Sequence, residues 1–287
     1  MRLPLYAYIG FGIVALSEAG MLAHVEPFRT FHTPLAWTGY ILFADGIIHA
    51  NRRSSWLTTN RNEFWFLAAL SIPLWLVFEA YNLLIHNWHY VGLPQNPWAR
   101  NIGYGWAFAT IWPGIFETAE LVGLGLPPKR DRGQSVRPLF PQRARTESRS
   151  LFTLMLAGAA MLAWPIVRPS PYLAPAVWLG FILLLDPLNY LLGAESLIGD
   201  LDGAGAGARR LVNLALAGLV CGVLWEFWNY WAGAKWIYTV PYLPSVRIFE
   251  MPVLGYFGFP PFALECFAMY AFARRAMWRG QTRPIGL

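Results

Sequence analysis

Residues 211–231 read LVNLALAGLVCGVLWEFWNYW, an apolar run whose single charged side chain is Glu226. A helix rising ~1.5 Å per residue needs about 20 such residues to cross the hydrocarbon core of a bilayer. Seven other stretches share the pattern, near 5–24, 34–50, 64–84, 103–124, 151–167, 174–193 and 252–273. Only 13% of the 287 residues are charged, against about 25% in soluble domains, and mean hydropathy is +0.38. An ordinary soluble enzyme is excluded. The expected fold class is all-α, a polytopic membrane protein of about eight transmembrane helices.

Net charge is +6, and its distribution says what it is for. With the N-terminus inside, the inner segments carry 17 Lys and Arg residues and the outer segments only Arg29, Arg100, Arg168, Lys235 and Arg247. This positive-inside bias predicts an even number of spans, with both termini cytoplasmic in the inner membrane. The charge therefore implies no nucleic-acid partner. Cys221 and Cys266 both lie in apolar runs and suggest neither a disulfide nor a metal site. The first apolar stretch lacks a basic n-region and an A-x-A site, so no cleaved signal peptide is expected.

The chain repeats itself. Pro34, Trp37, Gly39 and Asp45 match Pro175, Trp178, Gly180 and Asp186 at a constant offset of 141. AGMLA at 19–23 resembles AAMLA at 159–163. Further on, Glu79 and Asn82 match Glu226 and Asn229; Trp88 and Tyr90 match Trp236 and Tyr238; Pro113 and Glu117 match Pro261 and Glu265. The expected organisation is a four-helix repeat over 1–125, a basic cytoplasmic linker over 126–150 and a second four-helix repeat over 151–287. Four spans per copy make the repeats parallel.

Acids inside or at the edge of the spans are Glu18, Asp45, Glu79, Glu117, Glu120, Asp186, Glu226 and Glu265. Each ionised acid costs ~2.5–3.5 kcal/mol at mid-bilayer, so most must face protein, hold a proton or sit near an interface. No Lys or Arg lies deep in a span to pair with them. A carboxyl buried without a cation favours its neutral form and is poised as a general acid. Candidate catalytic residues are therefore Glu265, Glu226, Glu117 and Glu79. Asn229 shares a helix face with Glu226. The second half also crowds Trp225, Trp228, Trp236, Tyr238 and Tyr256 near these acids. Those residues, with Asn229, Asp186 and Asp45, are the candidate substrate-binding set. Structural alternatives are a hydrogen-bond pair for Glu226 and Asn229, and interfacial anchoring for the Trp–Tyr pairs.

The absences narrow the chemistry. The sequence has no HExxH, GxSxG or P-loop, and no aspartate-rich pair of the kind that holds Mg²⁺ and diphosphate. His86 and His89 are spaced to ligate a metal but have no counterpart in the second half. No metal and no cofactor are expected. Lys235 reads as an interfacial lysine, and GAGAGA at 203–208 as a loop.

These residues resemble the integral-membrane lycopene cyclases of the small-subunit or tandem type. That family carries a Trp followed by an acid, then W-x-[FY], then a Gly–Pro stretch running into glutamates. Trp225-Glu226, Trp236-Ile237-Tyr238 and Gly258 to Glu265 follow that order, and Glu79, Trp88-His89-Tyr90 and Pro113 to Glu117 repeat it loosely. The chain departs from the family in having a single Glu265, followed by Cys266, where a pair of acids is usual. The resemblance covers roughly 50 residues in each half. It implies proton-initiated, redox-neutral closure of a carotenoid end group, with Glu265 or Glu226 as the acid.

Three readings stay open. The first is an enzyme of carotenoid or isoprenoid chemistry, an isomerase or intramolecular lyase, with a membrane lipid or isoprenoid as substrate. The second is a non-catalytic lipid- or pigment-binding subunit with membrane-complex partners or a homo-oligomeric state. The third is a proton-coupled transporter using Asp45 and Asp186.

Overall fold

The structure, a computed structural model, describes residues 2–125, 144–202 and 207–277. It is about 77% helical with almost no sheet, so the all-α expectation holds. The first stretch contains α1 (Leu5–Leu22), α2 (His32–Arg52), α3 (Trp56–Thr59), α4 (Arg61–Ile85), β1 (Trp88–Val91), α5 (Pro97–Ala109) and α6 (Ile111–Gly125). The rest contains α7 (Ala144–Val167), α8 (Ala174–Leu191), α9 (Leu197–Asp202), α10 (Gly207–Trp231), β2 (Lys235–Tyr238), β3 (Arg247–Ile248), β4 (Met251–Pro252) and α11 (Phe259–Met277). Short 3₁₀ turns cover Pro171–Leu173 and Val253–Gly258.

Five segments among the described residues are long and apolar enough to cross a membrane: Leu5–Leu22, Arg61–Ile85, Arg149–Val167, Pro171–Leu191 and Arg209–Trp231. Of the three other expected spans, 34–50 lies within one continuous helix, α2, that is not among these five, and the remaining two differ for identifiable reasons. Expected span 103–124 is broken at Thr110 into α5 and α6. Expected span 252–273 begins as a strand and a 3₁₀ turn and becomes helical only at Phe259. α6 and α11 lie at the centre, packed on α2, α4 and α10, and on α8 and α10, respectively. Every residue from Ile111 to Glu120 is buried. Surrounded by protein, these two helices need not be as apolar as a lipid-facing one. By contrast, α1 and α7 leave large apolar side chains such as Phe11, Leu16, Leu156 and Ile166 exposed. Residues 126–143 of the expected linker, 203–206 of the GAGAGA stretch and the tail 278–287 lie outside the described residues; 144–150 form the start of α7.

Close backbone contact joins α1 to α2 and α7 to α8. A Cβ added to Gly10 would stand 2.6 Å from the Gly39 carbonyl oxygen, and one on Gly158 would stand 2.7 Å from that of Gly180. Small residues of this kind let membrane helices approach and gain dispersion contacts. In the structure Gly39 faces Gly10 and Val14, whereas Gly180 faces Gly158 and Leu162. By these contacts Gly10 corresponds to Gly158, a register different from that of the AGMLA match. Gly39→Val should therefore force α1 and α2 apart, at about 1–3 kcal/mol for overpacking. Thermal unfolding in mild detergent is expected to show a clear fall in midpoint; an unchanged midpoint would refute the tight crossing.

Asp45 and Asp186 perform one local task in two places. Asp45 accepts from the Ser55 hydroxyl at 2.8 Å, the Leu57 backbone N–H at 2.9 Å and the Tyr6 hydroxyl at 2.7 Å. Asp186 accepts from the backbone N–H groups of Leu197 at 2.7 Å and Ile198 at 3.0 Å. Asp45 thus satisfies one orphan amide, and Asp186 two, at the start of a short helix, α3 or α9, where the helix dipole favours negative charge.

Candidate functional site

The alternating spacing Trp-x-Tyr sends both aromatic side chains to one face of an extended strand. It occurs at Trp88–Tyr90 and again at Trp236–Tyr238, and the two strands pair with each other. β1 and β2 are antiparallel, with Trp88 opposite Tyr238 and Tyr90 opposite Trp236. Each tryptophan therefore faces the tyrosine of the other strand. The ribbon is tied to the helices by one repeated bond pattern. Asn82 Nδ2 donates to the Trp88 carbonyl at 2.8 Å and Asn229 Nδ2 to the Trp236 carbonyl at 2.8 Å. In return the Trp88 and Trp236 amides donate to the same side chains at 3.2 and 2.9 Å. The ribbon end is tight: Gly92 has φ +68°, and a Cβ there would lie 1.9 Å from the Gly233 carbonyl oxygen.

All four ribbon aromatics line a cavity of about 420 Å³, which falls in the range of small-molecule sites. Trp37, Trp75, Trp178 and Trp225 form much of the remaining lining, with Phe262 and Tyr104. The wall is interlocked. Trp37 lies 5.0 Å from Trp225, and Phe78 lies 5.5 Å from Trp178. Tyr40 lies 6.0 Å from Trp228, and Tyr81 lies 6.1 Å from Phe181. In each case a residue of one half meets a residue of the other at the same matched positions.

Behind the aromatic wall stand two glutamates. Glu79 Oε1 accepts from Trp75 Nε1 at 2.8 Å, Trp88 Nε1 at 3.3 Å and Tyr90 Oη at 2.5 Å. Glu226, fully buried, accepts from Tyr238 Oη at 2.9 Å through Oε1, while its Oε2 has no hydrogen-bond partner among the described residues. Burial, together with the adjacent glutamate, pushes the Tyr90 and Tyr238 hydroxyls well above their usual range. Both phenols therefore keep their protons at neutral pH and act as donors. Each glutamate thus reaches the cavity through one hydroxyl.

The chain matches no family model, no curated protein and no solved structure. Its site must be judged on geometry. Of the residues singled out in the sequence, Trp225, Trp236 and Tyr238 line the cavity. Glu226 and Glu79 stand one bond behind it, and Asn229 positions the Trp236 backbone. Trp228 donates to Glu18 at 2.9 Å, and Tyr256 donates to the Ile248 carbonyl at 3.0 Å; neither is a lining residue. Asp45 and Asp186 are engaged at helix starts, away from the cavity lining.

Glu117 and Glu265 are buried in the central helices and do not line the cavity. Neither carboxyl oxygen of either residue has a hydrogen-bond partner among the described residues. Glu120 does meet a cation: Arg52, from the end of α2, donates to it at 2.9 Å, and Trp56 Nε1 donates at 2.6 Å. No group of three or more His, Cys, Asp or Glu suited to a metal occurs among the described residues.

Sequence reasoning passed over Trp37, Trp178, Tyr90 and Arg100 as site residues. The first two were visible as a matched pair at offset 141, and Tyr90 was visible as an anchor. Arg100 carried no signal, because a lone arginine in an outer loop is usual.

Proposed function

We propose that the protein is an integral-membrane enzyme of eight spans in two parallel four-helix repeats, acting on a polyisoprenoid-like lipid by redox-neutral acid–base chemistry. The observation that carries this reading is the pair of Tyr–Glu hydrogen bonds facing an aromatic cavity, Tyr90 with Glu79 and Tyr238 with Glu226. The recurring ribbon bonds and ring contacts support the repeat, and the central place of α6 and α11 supports counting them among the spans.

In this mechanism the Tyr238 hydroxyl turns from Glu226 Oε1 towards the cavity, and in one concerted step the carboxylic proton of Glu226 passes to Tyr238 Oη as the phenolic proton passes to a substrate double bond. A new C–H bond forms, and the π electrons leave a tertiary cation. Another double bond of the same chain attacks it, and loss of a neighbouring C–H proton through Tyr238 to the Glu226 carboxylate restores the acid. No electrons are gained or lost. Indole and phenol faces stabilise the cation through their quadrupoles. The donor role thus moves from Glu265 to Glu226, which has a bonded route to the cavity. Glu117 and Glu265 serve as neutral acids within the helix core.

A second reading, a non-catalytic lipid- or pigment-holding subunit, is favoured by how few polar groups line the cavity. One measurement separates the outcomes. The protein is purified in mild detergent, its absorption recorded and its organic extract analysed by mass spectrometry. A mixture of related isoprenoids differing in double-bond position or ring count is expected. One stoichiometric pigment would support the holding subunit, and bulk phospholipid alone would overturn both.

A further inference from the structure

The cavity's charged residues are unequal. Lys235 is engaged, its ammonium 2.5 Å from Glu250 Oε1 and 3.2 Å from the Tyr230 carbonyl. Arg100, on the first turns of α5, also lines the cavity, yet forms no ion pair among the described residues. A half-buried guanidinium at the edge of a largely apolar cavity has no anion of the protein to bond among the described residues, and an anionic ligand supplies the charge-assisted, bidentate bonds it lacks.

Elsewhere the lining opens to the surroundings through apolar groups. Phe257 is 75% exposed, Leu254 42% and Leu179 40%, and all three line the cavity. The first two lie on the 3₁₀ turn Val253–Gly258. Non-helical backbone at membrane depth is tolerated where it lines a cavity, and here it makes an apolar margin over which a lipid chain can pass.

We infer that Arg100 reads an anionic head group, so that the lipid taken by this cavity is an isoprenoid bearing a terminal phosphate or carboxylate, its chain leaving past Leu179, Leu254 and Phe257. This rests on the reading of the cavity as an isoprenoid site and deepens it by naming the head.

The test is a tryptophan-fluorescence titration of the purified full chain in mild detergent, using farnesyl phosphate, farnesoic acid, farnesol and inorganic phosphate. At least one anionic probe is expected to bind about tenfold or more tighter than farnesol, as for a charge-assisted bond. Inorganic phosphate is expected to bind negligibly. Arg100→Gln should remove that preference, with the far-ultraviolet circular dichroism spectrum and unfolding midpoint unchanged to show that the variant folds. Equal binding of all three farnesyl probes by the unaltered protein would overturn the head-group assignment and leave the isoprenoid reading standing. Inorganic phosphate binding as tightly as farnesyl phosphate would also overturn it, because the site would then read a free anion. Failure of every farnesyl probe would overturn both.

Discussion

Glu226→Gln and Tyr238→Phe are each expected to lower turnover about 10²–10⁴-fold, the usual contribution of a positioned general acid. Both substitutions preserve shape, so the ribbon bonds from Asn229 and the ring contacts of Trp225 should survive. Because the proton crosses both groups in series, the double variant should be scarcely worse than either single one. Product formation by liquid chromatography and mass spectrometry, on the isoprenoid recovered with the protein, reads the effect. Glu79→Gln and Tyr90→Phe then report whether the first half contributes. Glu265→Gln, outside the lining and without a hydrogen bond to it among the described residues, should keep most of the activity. Full turnover in Glu226→Gln, or its loss in Glu265→Gln alone, would return the donor role to Glu265.

Asp45→Ala should be the most damaging substitution for stability. It strands the Tyr6 and Ser55 hydroxyls and the Leu57 amide, all bonded to a fully buried carboxylate. Orphaned buried donors cost about 1–3 kcal/mol each, partly relieved by relaxation. A loss of about 3 kcal/mol lowers the unfolding midpoint by roughly 6–12 °C at this chain length. Asp45→Asn keeps one acceptor oxygen and should lose about half as much. Thermal unfolding followed by far-ultraviolet circular dichroism checks both, and a midpoint unchanged in Asp45→Ala would refute the capping role.

Hydropathy made the helical class legible because long helices such as α1 and α7 carry apolar side chains along their exposed sides. It was less informative for α6 and α11, whose neighbours are protein and whose composition is therefore free to include Glu117 and Glu265. The matched positions pointed to Glu226, Tyr238 and Trp236, since a motif carried twice leaves a trace in one sequence. They could not show that Trp88–Tyr90 and Trp236–Tyr238 hydrogen-bond to each other, because that pairing is long-range and its hydrogen bonds are backbone ones. The cavity was equally hidden. Its walls come from six or more segments, and Trp37 meets Trp225 only after folding. The break at Thr110 was masked by the apolar residues on both sides of it.

The ribbon has a consequence for a truncated chain. β1 pairs with a strand of like sequence, each tryptophan opposite the other copy's tyrosine, so the element is complementary to itself. A fragment holding one such strand would still carry the donors, acceptors and ring faces needed to close on a second identical fragment. Two-fold homodimers use isologous contacts of this form. A half chain is therefore expected to close by association the ribbon that the intact chain closes by folding over.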